Sequence, residues 1–189
     1  RIFENYRRFE FDGPVWPVKP RFKEIWGVKC YAGLSDLPGV PDHLVVMRAA
    51  ASVCSILREA ADMGTRSATV YAAGYSELGT EEGKALETEL REVIEETGLA
   101  VCGPNCLGSM SARGKSLCLP DDRIRELVRG PVAMVGQSGT TTPGIGRTLI
   151  DRGIDVSYII TSGNEVGLTT ADYINYFVDD PDVRLVFCL

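Results

Sequence analysis

Short apolar runs alternate with amphipathic stretches through the first half of the chain. Apolar runs predict strands, and apolar residues three and four positions apart predict helices. The predicted order is strand 43–47, helix 50–63, strand 67–73, helix 80–97 and strand 99–102. Gly64 and Gly98 follow the two helices, where glycine commonly ends a helix. This alternation predicts an α/β fold, with a parallel sheet covered by helices on both faces.

A second unit of the same kind follows Gly130-Pro131. Its predicted order is strand 132–135, helix 142–152, strand 156–161, helix 170–178 and strand 184–189. We also predict a strand at 14–18, bounded by prolines, and a helix at 121–128 between the two units. The sequence therefore predicts a first domain at 1–120, a linker at 121–130 and a second domain at 131–189.

The charge balance excludes some classes of partner. The formal net charge is −6, which argues against nucleic acid and anionic membrane surfaces. No apolar run approaches the length of a membrane span, and no signal peptide is recognised. An anionic ligand would need locally placed cations and backbone N–H groups.

The six cysteines do not form a metal-binding pattern. Cys102 and Cys106 flank Pro104 at a spacing unlike that of zinc sites, and His43 is the only histidine. A disulfide scaffold would be smaller and richer in cysteine. We therefore expect no metal site, and reduced thiols in a cytoplasmic protein.

Both ends of the chain have the pattern of interrupted elements. Arg1 opens within a helical pattern that has no N-cap, and an apolar strand pattern is still in progress at Leu189. We therefore expect a piece of a longer protein. Apolar sheet edges left open by such a cut would favour an oligomer.

Small or polar residues follow four of the predicted strands, at the edge where parallel sheets bind ligands. These segments are 48–50, 73–76, 103–106 and 136–140. The last reads Gly-Gln-Ser-Gly-Thr and leads into a helix, so its N–H groups and hydroxyls form a candidate phosphate site. An ordinary strand–helix turn with a threonine N-cap fits the same residues, and no Walker lysine follows.

Two other groups have candidate chemistry. Asn105, in a rigid Gly-Pro-Asn-Cys turn, could orient a ligand or satisfy the backbone of its own turn. Cys106 has no base beside it, so we do not predict a nucleophile there. Lys19, Arg21 and Lys23 form a small basic cluster that could bind a phosphate or flank a loop.

In this order, the segments resemble the NDP-forming acyl-CoA synthetases, the family of the succinyl-CoA synthetase α-subunit. The resemblance covers nearly the whole chain, and its most specific element is the run Gly-Pro-Asn-Cys-Leu-Gly at 103–108. Other matching segments are 14–20, 24–27, 30–38, 73–75, 130–139, 162–164 and 179–181. The stretch 156–176 also resembles feruloyl-CoA synthetases, which makes an aromatic acid a candidate substrate.

The resemblance implies a Rossmann-like CoA-binding domain, truncated at its N-terminus, followed by a flavodoxin-like succinyl-CoA-synthetase-type domain, truncated at its C-terminus. Such enzymes make or cleave an acyl-CoA thioester, from CoA and a carboxylic acid, through acyl phosphate and phosphohistidine intermediates. ATP or GTP with magnesium binds in an ATP-grasp domain or subunit. The phosphohistidine is expected beyond Leu189, so no catalytic residue is expected in this chain.

The resemblance also implies functions for individual residues. The residues expected to bind CoA are Val18, Lys19, Arg21, Arg48, Ala73, Gly74, Asn105 and Cys106. Those expected to open a helix toward the phosphohistidine are Ser138, Gly139 and Thr140, and those expected to border the acyl group are Gly163 and Asn164. Lys19 and Arg48 replace the asparagine and proline that the family usually has there.

Two other interpretations stay open at this stage. A CoA-sensing regulatory module of an acetyltransferase-type protein would also lack catalytic residues in this region. A plain Rossmann-type nucleotide binder is the third, although no Gly-x-Gly-x-x-Gly run follows a strand.

Overall fold

A three-stranded and a five-stranded sheet form the centre of the chain, and the computed structural model describes all residues, 1–189. The helices are α1 (Ile2–Arg8), α2 (Val53–Asp62), α3 (Glu81–Thr97), α4 (Thr141–Asp151) and α5 (Thr170–Val178). The strands are β1 (Glu24–Ile25), β2 (Val28–Lys29), β3 (His43–Val46), β4 (Ser67–Val70), β5 (Ala100–Cys102), β6 (Gly108–Ser111), β7 (Ser116–Leu117), β8 (Val132–Gly136), β9 (Val156–Thr161) and β10 (Leu185–Cys188). Short 3-10 turns lie at Leu34–Asp36, Ala50–Ser52 and Ser76–Leu78.

The first sheet is parallel throughout, with the strand order β3-β4-β5. Its core joins Val46, Val70 and Val101 of the strands to Leu57 of α2 and Leu90 of α3. Parallel neighbours need a crossover connection, and the two helices supply it. The α/β fold predicted from the apolar pattern is confirmed, but α2 and α3 contact each other and so lie on one face of this sheet rather than on both.

Helix α3 begins and ends close to where the sequence predicts. Thr80 Oγ1 accepts a hydrogen bond from the N–H of Gly83 at 3.1 Å, which caps the first turn. Gly98 follows the last turn with a φ of 68°, a left-handed conformation that glycine adopts without strain. Leu90 and Val93 are fully buried, so the helical spacing of apolar residues located the face that meets the core.

The second sheet is mixed, with the strand order β10-β8-β9-β6-β7. Strands β10, β8 and β9 run parallel, whereas β6 is antiparallel to β9 and β7 to β6. Met134 and Ile159 pack in one apolar cluster with residues of α4, and Tyr158 packs in another with Phe177 of α5. Since successive strand residues face opposite sides, α4 and α5 cover opposite faces of the sheet.

Two predicted elements are wrong. The segment 14–18 forms only one bridge, between Val18 and Tyr31, because Pro14 and Pro17 have no N–H for a strand ladder. The segment 121–128 is not a helix. Ile124 is 2% exposed within that segment, so its apolar residues pack against the second sheet without helical structure.

Strands β6 and β7 are not predicted from the sequence. The segment Gly108–Ser111 reads Gly-Ser-Met-Ser, which has too few apolar residues to predict a strand. It nevertheless pairs with β9, from Gly108 opposite Thr161 to Ser111 opposite Tyr158. Sheet pairing therefore crosses the interval 121–130, and the predicted domain division stays a prediction.

The start of the chain also attaches to the second sheet. Asn5 in α1 is 3% exposed, and its Nδ2 donates to the carbonyl oxygens of Leu119 at 2.9 Å and Asp121 at 3.2 Å. His43 lies between the hydroxyls of Ser67 and Thr69, at 2.8 and 3.0 Å from its two ring nitrogens. None of the five helices combines the length and apolar character needed to cross a bilayer.

Replacing Ile159 by alanine should lower the free energy of unfolding by about 2–5 kcal/mol, because the buried side chain leaves a cavity beside α4. Ile154 is 40% exposed, so Ile154→Ala is the matched control, with an expected loss below about 1 kcal/mol. Urea unfolding followed by circular dichroism measures both losses. Equal losses would contradict the placement of β9 at the centre of the second core.

Candidate functional site

Loops from the two sheets meet where β4, β5 and β9 end. The N–H of Asn105 donates to the carbonyl oxygen of Ala72 at 2.8 Å, which joins the loops after β5 and β4. The N–H of Asn164 donates to the carbonyl oxygen of Pro104 at 2.9 Å, which joins the loops after β9 and β5. The carboxyl ends of these strands therefore form one site, as expected for ligand-binding edges of α/β sheets.

Gly163 permits the close approach of two of these loops. Its φ is +63°, and a Cβ atom built on it would lie 2.0 Å from the carbonyl oxygen of Pro104. A side chain at this position would have to displace the backbone of the loop after β5. Gly163 therefore contributes close approach rather than a functional group.

The two predicted asparagines contact each other. Asn105 Nδ2 donates to Asn164 Oδ1 at 3.2 Å. Asn164 Nδ2 in turn lies 2.7 Å from Glu77 Oε2 and 3.1 Å from Glu87 Oε2. The predicted CoA residue Asn105 and the predicted acyl residue Asn164 thus belong to one hydrogen-bonded cluster.

Glu77 and Glu87 also hold the loop after β4. Glu77 accepts the N–H of Gly74 at 2.6 Å and that of Tyr75 at 3.1 Å, and Glu87 accepts the hydroxyl of Ser76 at 2.5 Å. Burial opposes ionisation of Glu77, but the hydrogen bonds from Gly74, Asn164 and Tyr75 keep its pKa below the usual value. Glu77 is therefore an anion at neutral pH, and its charge lies beside Gly74.

A third carboxylate orders the loop after β9. Glu165 Oε1 accepts hydrogen bonds from the hydroxyls of Ser162 and Thr170, each at 2.6 Å. Burial raises the pKa of Glu165, but these two hydroxyls and further hydrogen bonds outweigh it, and the net shift is downward. The backbone of Glu165 has a φ of 56°, so its conformation also depends on these contacts.

The turn between β8 and α4 has the features of an anion site. Ser138 Oγ accepts the N–H of Thr141 at 3.0 Å, so Ser138 rather than Thr140 caps the first turn of α4. The N–H groups of Gly139 and Thr140 donate to no acceptor within the chain. Free N–H groups at the start of an 11-residue helix favour an anion there.

This turn borders a cleft of about 460 Å³ with arginine in its wall. Arg147 pairs with Asp121, whose side chain is 8% exposed, and Arg123 lies 3.7 Å from the same carboxylate. Gly139 packs against Leu107, since a Cβ there would lie 2.8 Å from Leu107 Cγ. The turn is thus held against the chain segment that directly follows Cys106.

The basic residues predicted to bind CoA form no hydrogen bond with this cluster, although Arg48 follows β3, whose neighbour β4 leads into the loop of Gly74. Val18, Lys19, Arg21 and Arg48 are all exposed, and none of the three cations forms an ion pair. The backbone around Lys19 is fixed by its N–H, which donates to the carbonyl oxygen of Tyr31 at 2.8 Å. No hydrogen bond joins these residues to Asn105 or Asn164. They are free to meet an anionic ligand from solvent.

Cys106, another residue predicted to bind CoA, is buried. Its side chain is 2% exposed, and its Sγ donates to the carbonyl oxygen of Val70 at 3.4 Å. The hydrogen bond with Cys102 and then burial raise the pKa of this thiol, which disfavours its nucleophilic thiolate form. The side chain of Cys106 thus faces the interior while Asn105 is half-buried, and a CoA contact of Cys106 stays a prediction.

Three carboxylates of the site, Glu77, Glu87 and Glu165, are not predicted from the sequence. Glu87 reads as one more acidic residue of an exposed helix, and its contact with Asn164 spans 77 positions of the chain. Glu165 directly follows the predicted acyl residues, which was the only signal available for it. Long-range partners of this kind become visible only when the loops are placed in space.

Gly163→Ala should lower the free energy of unfolding by about 1–3 kcal/mol from contact with Pro104, in addition to about 1 kcal/mol from its positive φ. Gly153 has a φ of +77° and no atom within 4 Å of an added Cβ, so Gly153→Ala is the control for the φ effect alone. Thermal and urea unfolding measure both variants. A loss at Gly163 no greater than that at Gly153 would contradict the close loop contact.

Comparison with known proteins agrees with this geometry. Residues 1–112 match the family of CoA binding domains, and residues 129–189 match the succinyl-CoA ligase like flavodoxin domain. The chain is 31% identical over 188 residues to trans-feruloyl-CoA synthase FCS1 of an unknown prokaryotic organism, covering 98% of this chain and 26% of that protein. It is 32% identical over 185 residues to the alpha subunit of acetate–CoA ligase [ADP-forming] II of Pyrococcus furiosus, covering 98% of this chain and 39% of that subunit.

A solved structure has the same fold over nearly the whole chain. The dinucleotide forming acetyl-coenzyme A synthetase 1 of Ca. Korarchaeum cryptofilum, in complex with phosphate and ADP, superposes with a TM-score of 0.90 at 27% identity, covering 99% of this chain and 39% of that chain. The chain thus spans between a quarter and two fifths of the length of these relatives. The chain therefore belongs to the CoA binding domain family, and its second part belongs to the succinyl-CoA ligase like flavodoxin domain. This order of domains is that of the NDP-forming acyl-CoA synthetases.

Proposed function

We propose that the protein containing this chain is an NDP-forming acyl-CoA synthetase, which makes or cleaves an acyl-CoA thioester. The observation that supports it best is the convergence of three loops on Asn105 and Asn164, next to two matched domains of this enzyme class. Relatives named as ADP-forming acetate–CoA ligases and as a feruloyl-CoA synthase agree with the same reaction class.

The charge distribution favours one orientation of CoA. Lys19, Arg21 and Arg48 offer exposed cations for its phosphates, whereas Glu77 and Glu87 at the loop cluster would repel them. The phosphates therefore bind toward the cations. The pantetheine arm extends along Ala73 and Gly74, and its thiol end reaches Asn105.

The other predicted residues bind the phosphorylated histidine and the acyl group. Ser138, Gly139 and Thr140 offer free N–H groups and a helix N-terminus to a phosphorylated histidine. Gly163 and Asn164 border the acyl group, directly beside Asn105. The reaction would pass through acyl phosphate and phosphohistidine, each of which carries negative charge that this turn stabilises.

The rest of the reaction requires parts that this chain does not supply. We propose that an ATP-grasp domain or subunit binds ATP or GTP with magnesium, and that the phosphohistidine lies outside this chain. The acyl substrate is a carboxylic acid. Six unpaired cysteines are consistent with a reducing compartment, so we place the protein in the cytoplasm.

The first test is the affinity of this chain for CoA, measured by isothermal titration calorimetry. Arg21→Ala should weaken CoA binding about tenfold, because a charged hydrogen bond to a phosphate is lost. Arg66 is also exposed but pairs with Asp42, so Arg66→Ala is the matched control and should leave the affinity unchanged. Binding of NAD with no binding of CoA would contradict the proposal and support a plain nucleotide binder.

The second test uses the full-length protein that contains this chain. Incubation with CoA, ATP or GTP, magnesium and a panel of acids, including acetate and ferulate, should release a nucleoside diphosphate and form acyl-CoA. Intact-mass analysis should show a phosphorylated histidine when the acid is omitted. CoA binding without turnover for any acid would instead support the CoA-sensing regulatory module.

A further inference from the structure

Asn105 and Asn164 form a chain of amides that ends on two carboxylates. An asparagine side chain carries a donor and an acceptor of nearly the same shape, so its neighbours decide its orientation. An ionised carboxylate only accepts hydrogen bonds. Asn164 must therefore turn its NH₂ group toward Glu77 and Glu87, at 2.7 and 3.1 Å.

The orientation of Asn164 then fixes the orientation of Asn105. With its NH₂ group on the carboxylates, Asn164 presents Oδ1 to Asn105, which must donate through Nδ2, at 3.2 Å. The Oδ1 atom of Asn105 accepts no hydrogen bond within the chain, and its side chain is half-buried at the meeting point of the loops. The carbonyl oxygen of Asn105 therefore points away from Asn164 and is free to accept a hydrogen bond from whatever binds there.

We propose that Glu77 and Glu87 are positioning residues, which act through Asn164 to make Asn105 present its carbonyl oxygen to an N–H or S–H group of CoA. The pantetheine arm of CoA carries both kinds of donor, in its two amides and its thiol. This inference rests on the proposed CoA function of Asn105. It adds the reason why two acidic residues lie beside a site for an anionic ligand.

No neighbouring cation competes with Asn164 for the two carboxylates. Arg91, one turn after Glu87 on α3, donates to a backbone carbonyl oxygen of the loop after β9 at 3.3 Å. Lys84 pairs with a carboxylate in the first turn of α3 at 2.8 Å. Glu165 accepts hydrogen bonds from the hydroxyls of Ser162 and Thr170, and it forms none with Asn105 or Asn164. The acceptors that orient Asn164 are therefore Glu77 and Glu87.

The test replaces the donor at the centre of this chain. Asn164→Asp puts a third carboxylate beside Glu77 and Glu87, and should weaken CoA binding at least about tenfold. Adding Glu87→Gln supplies an NH₂ group to the new carboxylate and should recover most of the affinity. Glu89→Gln, on the same helix but paired with Arg58, restores the same net charge without that donor and should not recover it.

A second measurement reads the amide orientation without CoA. The side-chain NH₂ signal of Asn105 in ¹⁵N NMR, assigned by its loss in Asn105→Asp, should shift in Asn164→Asp. It should return in the Glu87→Gln double variant and not in the Glu89→Gln one. If the chain binds no CoA while these shifts occur, the proposed function fails and the positioning contact stands.

Two outcomes would overturn the inference. Equal recovery of CoA affinity by Glu87→Gln and Glu89→Gln would show that net charge, rather than a donated hydrogen bond, controls binding. An Asn105 amide signal that is the same in all variants would show that Asn105 does not donate to residue 164, so that Glu77 and Glu87 have no route by which to act on it.

Discussion

The contact between the loop after β5 and the loop after β9 is the constraint on which the site depends. Only glycine at position 163 allows the Asn164 N–H to reach the carbonyl oxygen of Pro104 at 2.9 Å. That contact brings Asn164 next to Asn105. It also brings the loop after β9, in the second sheet, within hydrogen-bonding distance of Glu87 in α3, which packs on the first sheet. The relative position of the two sheets therefore determines whether the ligand loops form one surface.

The site separates charge along its length. Exposed cations lie on the segment around Lys19 and Arg21, while carboxylates lie at the junction of the loops. A third element, the turn that opens α4, supplies backbone N–H groups instead of cations. In the proposed orientation of CoA, attraction and repulsion act at opposite ends of the ligand, which would let a chain with a net charge of −6 bind an anionic cofactor.

Sequence patterns predicted the regular elements well, since the apolar spacing of α3 and the apolar runs of β8 and β9 depend on local residues. They failed at β6, where pairing with β9 rather than apolar character makes the strand, and at 121–128, where Ile124 packs without a helix. Asn105 was found because its turn is a recognisable motif. Its partners Glu77 and Glu87 were not found, because the local sequence is the same for a carboxylate that binds an amide as for one that faces water.

The pairing of β6 with β9 has a consequence for the way this protein can be divided. A cut within the interval 121–130 would remove from the second sheet the strands that cover its β9 edge, and leave unpaired N–H and C=O groups along a central, apolar strand. The predicted linker therefore does not coincide with a boundary between the sheets. A segment that precedes the linker completes the sheet that follows it, so a fragment beginning after the linker would expose the β9 edge to pairing with other chains.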